Sequence, residues 1–110
     1  MPLLAELFRD DRRLQAVLVD DASHVTPGSQ GEHVRLIQRA LIYLGFRSIA
    51  GPEYVGGLYG PTTAETVLRF KTSRQIVNHS YQSTPDNIVG KMTIARLDTE
   101  IQRFELMPAA

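Results

Sequence analysis

Residues 28–46 read GSQGEHVRLIQRALIYLGF, and this stretch decides the fold class. Its apolar side chains recur at intervals of three, four and three residues, at Val34, Ile37, Leu41 and Leu44. That spacing places side chains on one face of an α-helix. Gly45 follows directly, where glycine readily adopts the left-handed conformation that ends a helix. The stretch therefore predicts an amphipathic helix over residues 31–44.

Two later stretches predict two more helices. The first begins at Gly60-Pro61, since proline is well tolerated in a first helical turn, and runs to about Arg74. Its inward face is Ala64, Val67 and Phe70. The second begins after Gly90 and runs to about Glu105, with its inward face at Ile94, Leu97, Ile101 and Phe104. Gly51-Pro52 and Gly56-Gly57 indicate a loop before the first of these helices, and residues 78–85 an exposed loop before the second.

A break at Thr26-Pro27-Gly28-Ser29 separates residues 1–27 from residues 28–110. Apolar spacing before the break predicts two short helices, over Leu3, Leu4, Leu7 and Phe8 and over Leu14, Val17 and Leu18. Asp10 or Asp11 is the expected cap between them. The predicted fold class is all-α: a compact three-helix bundle of residues 28–110, with an N-terminal helical extension of residues 1–27 packing on its core.

Two segments of the chain repeat one pattern, which we call the first and second turn unit. The first is Leu58–Thr63 and the second is Ile88–Thr93, and each reads apolar, apolar, Gly, any, any, Thr. A turn pair precedes each unit, Gly56-Gly57 and Asp86-Asn87. Both units are therefore predicted to lead the chain through a turn into a helix.

Three blocks of residues 28–97 stand in the order and spacing of a known family. The first has a glycine-rich entry, a helix and a closing glycine, at Gly28, Gly31, Val34, Ile37-Gln38, Leu41 and Gly45. The second and third are turns leading into helices, at Gly57, Tyr59-Gly60, Thr63, Val67 and Phe70, and at Asp86, Ile88-Val89-Gly90, Thr93 and Leu97. These blocks resemble the peptidoglycan-binding domain family, small three-helix modules attached to many cell-wall hydrolases. The resemblance implies non-catalytic binding of bacterial peptidoglycan.

The chain departs from the family pattern at three matched positions. Gly56 stands where the family has Asp, and Lys71 where it has Gln. Asn87 replaces a glycine, a mild change because Asn tolerates positive φ better than most residues.

A peptidoglycan site needs aromatic rings beside sugars and cations facing the carboxylates of stem peptides. We expect it among residues of the loops and the second long helix: Tyr54, Gly57, Tyr59, Lys71, Arg74, His79, Tyr81 and Gln82. Other roles compete for these residues. Tyr59 is more typical of a core anchor, Lys71 and Arg74 of solvated helix charges, and Tyr54 and Tyr81 of ordinary surface.

Composition excludes several other classes of function. The 12 basic residues balance the 12 acidic ones, so no overall field attracts nucleic acid. The chain has no cysteine, and no apolar run long enough for membrane insertion. The paired carboxylates Asp10-Asp11 and Asp20-Asp21 lie in turn-like contexts typical of helix caps rather than of catalysis. The histidines have no metal-binding spacing, so we expect no metal. Together with the turn-like contexts of the carboxylates, this leads us to expect no enzyme activity and no cofactor.

The expected partners are peptidoglycan or muropeptides, and a fused or associated hydrolase or effector. An alternative is that the fold serves protein–protein docking, as a secretion adaptor. The first residues do not form a signal peptide, because a charge interrupts a short apolar stretch. We therefore expect synthesis in the cytoplasm and action at the cell envelope after non-classical export.

Overall fold

A computed structural model describes residues 2–77 and 84–107, and over these residues the protein has five α-helices and no strands. The helices are α1 (Arg12–Val17), α2 (Glu32–Tyr43), α3 (Gly51–Gly56), α4 (Pro61–Arg74) and α5 (Lys91–Leu106). A short 3-10 turn, Asp21–Ser23, lies between α1 and α2. The predicted all-α class is confirmed.

The three long helices begin and end close to where their apolar spacing predicts. Their inward faces are buried in one core, which includes Val34, Ile37, Leu41, Val67, Phe70, Ile94, Leu97 and Ile101. Phe104 is an exception, because it is 43% exposed and its ring stacks on Tyr43 with 5.2 Å between the ring centroids. Its prediction as a buried residue was wrong, since near the end of α5 its ring stacks on the exposed ring of Tyr43 at the end of α2.

Only one of the two helices predicted before residue 20 forms. In α1, the side chain of Asp11 caps the helix by accepting a hydrogen bond from the backbone N–H of Leu14 at 2.9 Å. Residues 5–10 instead form hydrogen-bonded turns. A helix of this length is unstable alone, and here the backbone is held by side chains of α5. The buried side chains of this region share the core of the long helices: Leu3, Ala5, Phe8, Leu14 and Val17.

The loop predicted around residues 51–57 contains a short helix, α3. Gly57 ends this helix with a left-handed backbone at φ 62°. A Cβ atom at this position would lie 2.7 Å from the carbonyl oxygen of Gly31. Both the conformation and the close approach therefore require glycine at residue 57.

The two turn units lead into their helices with the same backbone conformation at the glycine. Each unit pairs with an earlier segment through an isolated antiparallel bridge, but at different positions of the pattern. Leu58, the first residue of its unit, pairs with Gln30, and Val89, the second of its unit, pairs with Val25. The glycines that follow have nearly equal backbone angles, with φ −94° and ψ −168° at Gly60 and φ −106° and ψ −163° at Gly90. The predicted repetition is confirmed, and it leads into α4 and α5 in the same way.

Candidate functional site

A cleft of about 400 Å³ opens beside the second turn unit, where α5 begins. Its walls come from the 3-10 turn, the end of α4 with Ile76, and the first turn of α5. Its charged and titratable lining residues are Asp21, His24, Lys71, Asp86 and Lys91. Its apolar lining residues are Ile76, Ile88 and Met92. This mixed lining is typical of a small-ligand site.

Backbone pairing brings the 3-10 turn to the start of α5. Val25 and Val89 exchange two hydrogen bonds, of 3.0 and 2.9 Å. The preceding His24 therefore lies against Gly90, where an added Cβ atom would be 3.1 Å from the imidazole ring. Glycine at residue 90 makes room for this histidine in the wall of the cleft.

Lys71 forms the inner charged wall of the cleft. The residue is only 6% exposed, and its Nζ lies 2.6 Å from Oδ1 of Asp86 and donates to the carbonyl oxygen of Ile88 at 2.8 Å. A buried ammonium requires such partners. Lys71 therefore fixes the turn before α5 onto α4.

The outer rim carries an exposed cluster of charged and titratable groups. Oδ1 of Asp21 lies 3.1 Å from Nζ of Lys91 and 3.5 Å from Nε2 of His24. The hydrogen bond from Lys91, together with its charge, lowers the pKa of Asp21. Two lysines and a histidine thus border the cleft, with an aspartate beside each lysine.

The start of α4, which lies in the first turn unit, binds a carboxylate. The carboxylate of Glu53 accepts hydrogen bonds from the backbone N–H groups of Thr62 and Thr63, at 3.0 and 2.9 Å. The hydroxyl of Thr63 donates to the same carboxylate at 2.7 Å. Partial burial opposes ionisation of Glu53, but these hydrogen bonds outweigh it and lower the pKa to about 2. This helix start is closed by a carboxylate from within the chain.

The start of α5 has no such carboxylate. Gly90 supplies no side-chain cap, and no side chain in residues 2–77 or 84–107 accepts from the backbone N–H groups of Met92 and Thr93. Thr93 is 1% exposed and lines the cleft. Within the described part of the chain its hydroxyl has no hydrogen-bond partner, whereas the equivalent hydroxyl of Thr63 donates to Glu53. The donors at this helix start therefore face the cleft.

Two of the predicted site residues meet at the turn before α5. Tyr59 is buried, its hydroxyl donates to the carbonyl oxygen of Asn87, and burial raises its pKa. Lys71 binds the residues on either side of Asn87. Of the predicted residues that the structure describes, Lys71 is the one that lines the cleft.

Other predicted residues lie elsewhere. The Tyr54 hydroxyl accepts a hydrogen bond from Nε of Arg39 at 3.2 Å. The carbonyl oxygen of Gly57 accepts from the backbone N–H of Gly31 at 3.0 Å. Neither Tyr54 nor Gly57 lines the cleft.

Arg74 is used in the contact between α4 and α5 rather than at the cleft. Its guanidinium donates two hydrogen bonds to Glu100, of 2.8 and 2.7 Å. It also lies over the rings of Phe46 and Phe70, 5.5 and 5.0 Å from their centroids. The remaining predicted residues, His79, Tyr81 and Gln82, lie outside the described residues.

Several cleft residues were missed at the sequence level. Met92 and Thr93 belong to the second turn unit, so its comparison with the first unit could have found them. His24 and Asp21 gave no local signal, because only the pairing of Val25 with Val89 brings them to the cleft.

One member of each carboxylate pair acts as a cap, as its context suggested. Asp11 caps α1, and Asp20 caps the 3-10 turn by accepting from the backbone N–H of Ala22 at 3.0 Å. Across residues 2–77 and 84–107, no group of three acidic, histidine or cysteine side chains is arranged to hold a metal ion. None of the helices in these ranges is long and apolar enough to cross a membrane.

Comparison with known proteins shows that the chain is similar in sequence to part of a secretion-system protein. Over 100 aligned residues it is 31% identical to the type VI secretion system spike protein VgrG3 of Vibrio cholerae serotype O1. The alignment covers 87% of this chain but only 10% of the length of that relative. No family model matches the sequence, and no solved structure matches it.

Proposed function

We propose that the protein is a non-catalytic module that binds bacterial peptidoglycan through the cleft at the start of α5. The observation that carries this proposal is the combination of an apolar wall, bordering cations and uncapped helix donors in one concave site. Stem peptides of peptidoglycan carry small apolar side chains and free carboxylates, which match these groups. The resemblance of residues 28–97 to the peptidoglycan-binding domain family supports the same ligand.

The similarity to a type VI spike protein supports a setting for this binding. In our proposal the module belongs to a longer secretion protein or associates with one, and it meets the cell wall after delivery by that machinery. Its role there is to hold a partner at the envelope, without a catalytic step, a cofactor, nucleic acid or membrane insertion.

Co-sedimentation with insoluble sacculi tests the proposal. The purified protein should pellet with sacculi weakly and reversibly, and should release no soluble muropeptides. Met92→Ala should reduce the pelleted fraction several-fold, because the exposed side chain lines the cleft. Val55→Ala is the matched control, since Val55 is also exposed but lies on α3, outside the cleft. Absence of co-sedimentation at high protein concentration would contradict the proposal.

A docking role is the second candidate, and one surface feature favours it. The stacked rings of Tyr43 and Phe104 are 47% and 43% exposed, and paired aromatic side chains are common anchors in protein interfaces. In that case the protein would remain in the supernatant when the sacculi are pelleted, and it would bind a purified spike protein. Tyr43→Ala would then weaken this binding, and Met92→Ala would not.

A further inference from the structure

We infer that the cleft binds the terminal carboxylate of a peptide at the first turn of α5. The backbone N–H groups of Met92 and Thr93 and the hydroxyl of Thr93 are the donors that hold it. This inference rests on the proposed function in one respect: it takes the stem peptide of peptidoglycan as the source of the carboxylate.

The repetition within the chain identifies the ligand chemistry. At the start of α4, two backbone N–H groups and one threonine hydroxyl converge on the carboxylate of Glu53. The start of α5 repeats the same backbone, with Met92 and Thr93 in the positions of Thr62 and Thr63. The same donors in the same arrangement suit the same acceptor.

Thr93 gives an independent indication that a ligand belongs in the cleft. A hydroxyl that lines an open cleft satisfies its hydrogen bonding with water or with a ligand, because polar groups in proteins nearly always have a partner. Thr93 is 1% exposed and lines the cleft, and its hydroxyl is unpartnered within residues 2–77 and 84–107. A bound carboxylate would satisfy this hydroxyl as Glu53 satisfies Thr63.

The helix start itself, rather than the lysines of the cleft, favours an anion from outside the chain, because Lys71 is paired with Asp86 and Lys91 with Asp21. His24 lies against Gly90 as Glu53 lies against Gly60, so an imidazole replaces the carboxylate of the first unit. The start of a helix carries a partial positive charge. An ammonium has three N–H donors, and Lys71 donates to Asp86 and to the backbone carbonyl of Ile88, which leaves one donor without a partner among the described residues.

The lining also indicates the size of the group beside the carboxylate. Ile76, Ile88 and Met92 form an apolar wall within a volume of about 400 Å³. This space suits the last residues of a short peptide with small side chains, such as alanine. The ligand class is therefore a peptide that ends in a small apolar residue with a free carboxyl group.

A pair of small probes tests the carboxylate directly. The ¹⁵N-labelled full chain is titrated with N-acetyl-D-alanyl-D-alanine and with its C-terminal amide. The acid should shift the backbone amide signals of Met92 and Thr93. Its amide should bind about tenfold more weakly or worse, as loss of a hydrogen bond to a charged group implies. Equal affinity for the two probes would overturn the inference.

Two matched variants test the threonine hydroxyl. Thr93→Val keeps the branched shape and removes a hydroxyl that has no partner within the described chain, so the melting temperature should not fall. Its affinity for the acid should drop about tenfold. Thr63→Val should instead lower the melting temperature, because the Thr63 hydroxyl binds both Glu53 and Gln38. Unchanged binding of the acid by Thr93→Val would overturn the inference.

Comparing binding to sacculi with binding of the acid probe distinguishes failure of this inference from failure of the proposed function. Binding to sacculi without binding of the acid probe would refute the carboxylate site and leave the proposed function standing. Binding of the acid at Met92 and Thr93 without binding to sacculi would support the site and refute the cell wall as its source. The carboxylate would then come from the C-terminus of a partner protein.

Discussion

Glu53 lies against Gly60 at the start of α4, and His24 lies against Gly90 at the start of α5. At both sites a neighbouring side chain approaches the glycine closely: an added Cβ atom would lie 2.6 Å from Cδ of Glu53 and 3.1 Å from the ring of His24. Two otherwise similar helix starts therefore differ in charge. A carboxylate closes one start, while an imidazole leaves the other open to a ligand.

The charge of Glu53 should make stability depend on pH at the acid end. Its pKa in the folded protein is about 2, below the ordinary value of 4.5. Its stabilising effect is therefore complete above pH 4.5 and is lost as the pH falls towards 2. Glu53→Gln should lower the free energy of unfolding by roughly 1–2 kcal/mol at pH 6, because the bonded N–H groups lose their anionic acceptor.

Urea denaturation of the wild type and Glu53→Gln at several pH values measures this effect. The two midpoints should differ at pH 6 and converge near pH 2. A difference that stays constant down to pH 2 would show that the charge of Glu53 does not stabilise the helix start.

At the scale of the elements, Arg74 joins α4 to α5. Its hydrogen bonds to Glu100 are the main reason that the pKa of Glu100 is lowered. The side chains of Arg74 and Glu100 are 24% and 13% exposed, and the guanidinium also packs on Phe46 and Phe70. A shielded pair of hydrogen bonds with aromatic packing is worth more than an open surface ion pair. This contact explains why Arg74 does not face the cleft.

The orientation of α5 can be tested with one substitution at two positions. Leu97 is fully buried, whereas Leu106 is 84% exposed on the same helix. Leu97→Ala should lower the free energy of unfolding by about 2–5 kcal/mol, because it leaves a cavity in the core. Leu106→Ala should change it by less than about 0.5 kcal/mol. Urea denaturation measures both values, and equal effects would mean that the buried face of α5 is assigned incorrectly.

At the scale of the whole molecule, the two ends of the chain are bound together. Asp98 of α5, 6% exposed, accepts hydrogen bonds from the backbone N–H groups of Leu4 and Ala5, at 3.0 and 2.8 Å. Glu105 accepts from those of Glu6 and Leu7 at 2.9 and 3.0 Å in an exposed position. These bonds hold the first residues in turns against the last helix. The N-terminal residues therefore complete the core.

Neutralising each carboxylate should separate the buried link from the exposed one. Asp98→Asn should lower the free energy of unfolding by about 1–3 kcal/mol, because it replaces an acceptor of buried N–H groups with an amide. Glu105→Gln should cost less than about 1 kcal/mol, since water can replace its bonds. Hydrogen exchange at Leu4 and Ala5 should accelerate in Asp98→Asn. Unchanged exchange there would contradict an anchoring role for Asp98.

The sequence by itself determined the class of fold, the three long helices and the repeated turn units. These features follow from local rules: an apolar residue every three or four positions defines a buried helical face, and glycine before a helix permits a tight turn. The interpretation failed where local rules compete with distant contacts. Residues 5–10 are held in turns by the carboxylates of α5, and Phe104 points towards an exposed ring rather than into the core.

Only the tertiary structure decided the composition of the cleft. His24 reaches Gly90 through the pairing of Val25 with Val89, and Lys71 reaches the turn before α5 from another helix. Such meetings depend on how separate elements pack, and periodicity along one element carries no information about them. The sequence shows Thr63 and Thr93 as equivalents. The packing around them decides that the first is capped by the chain itself and that the second faces an open cleft.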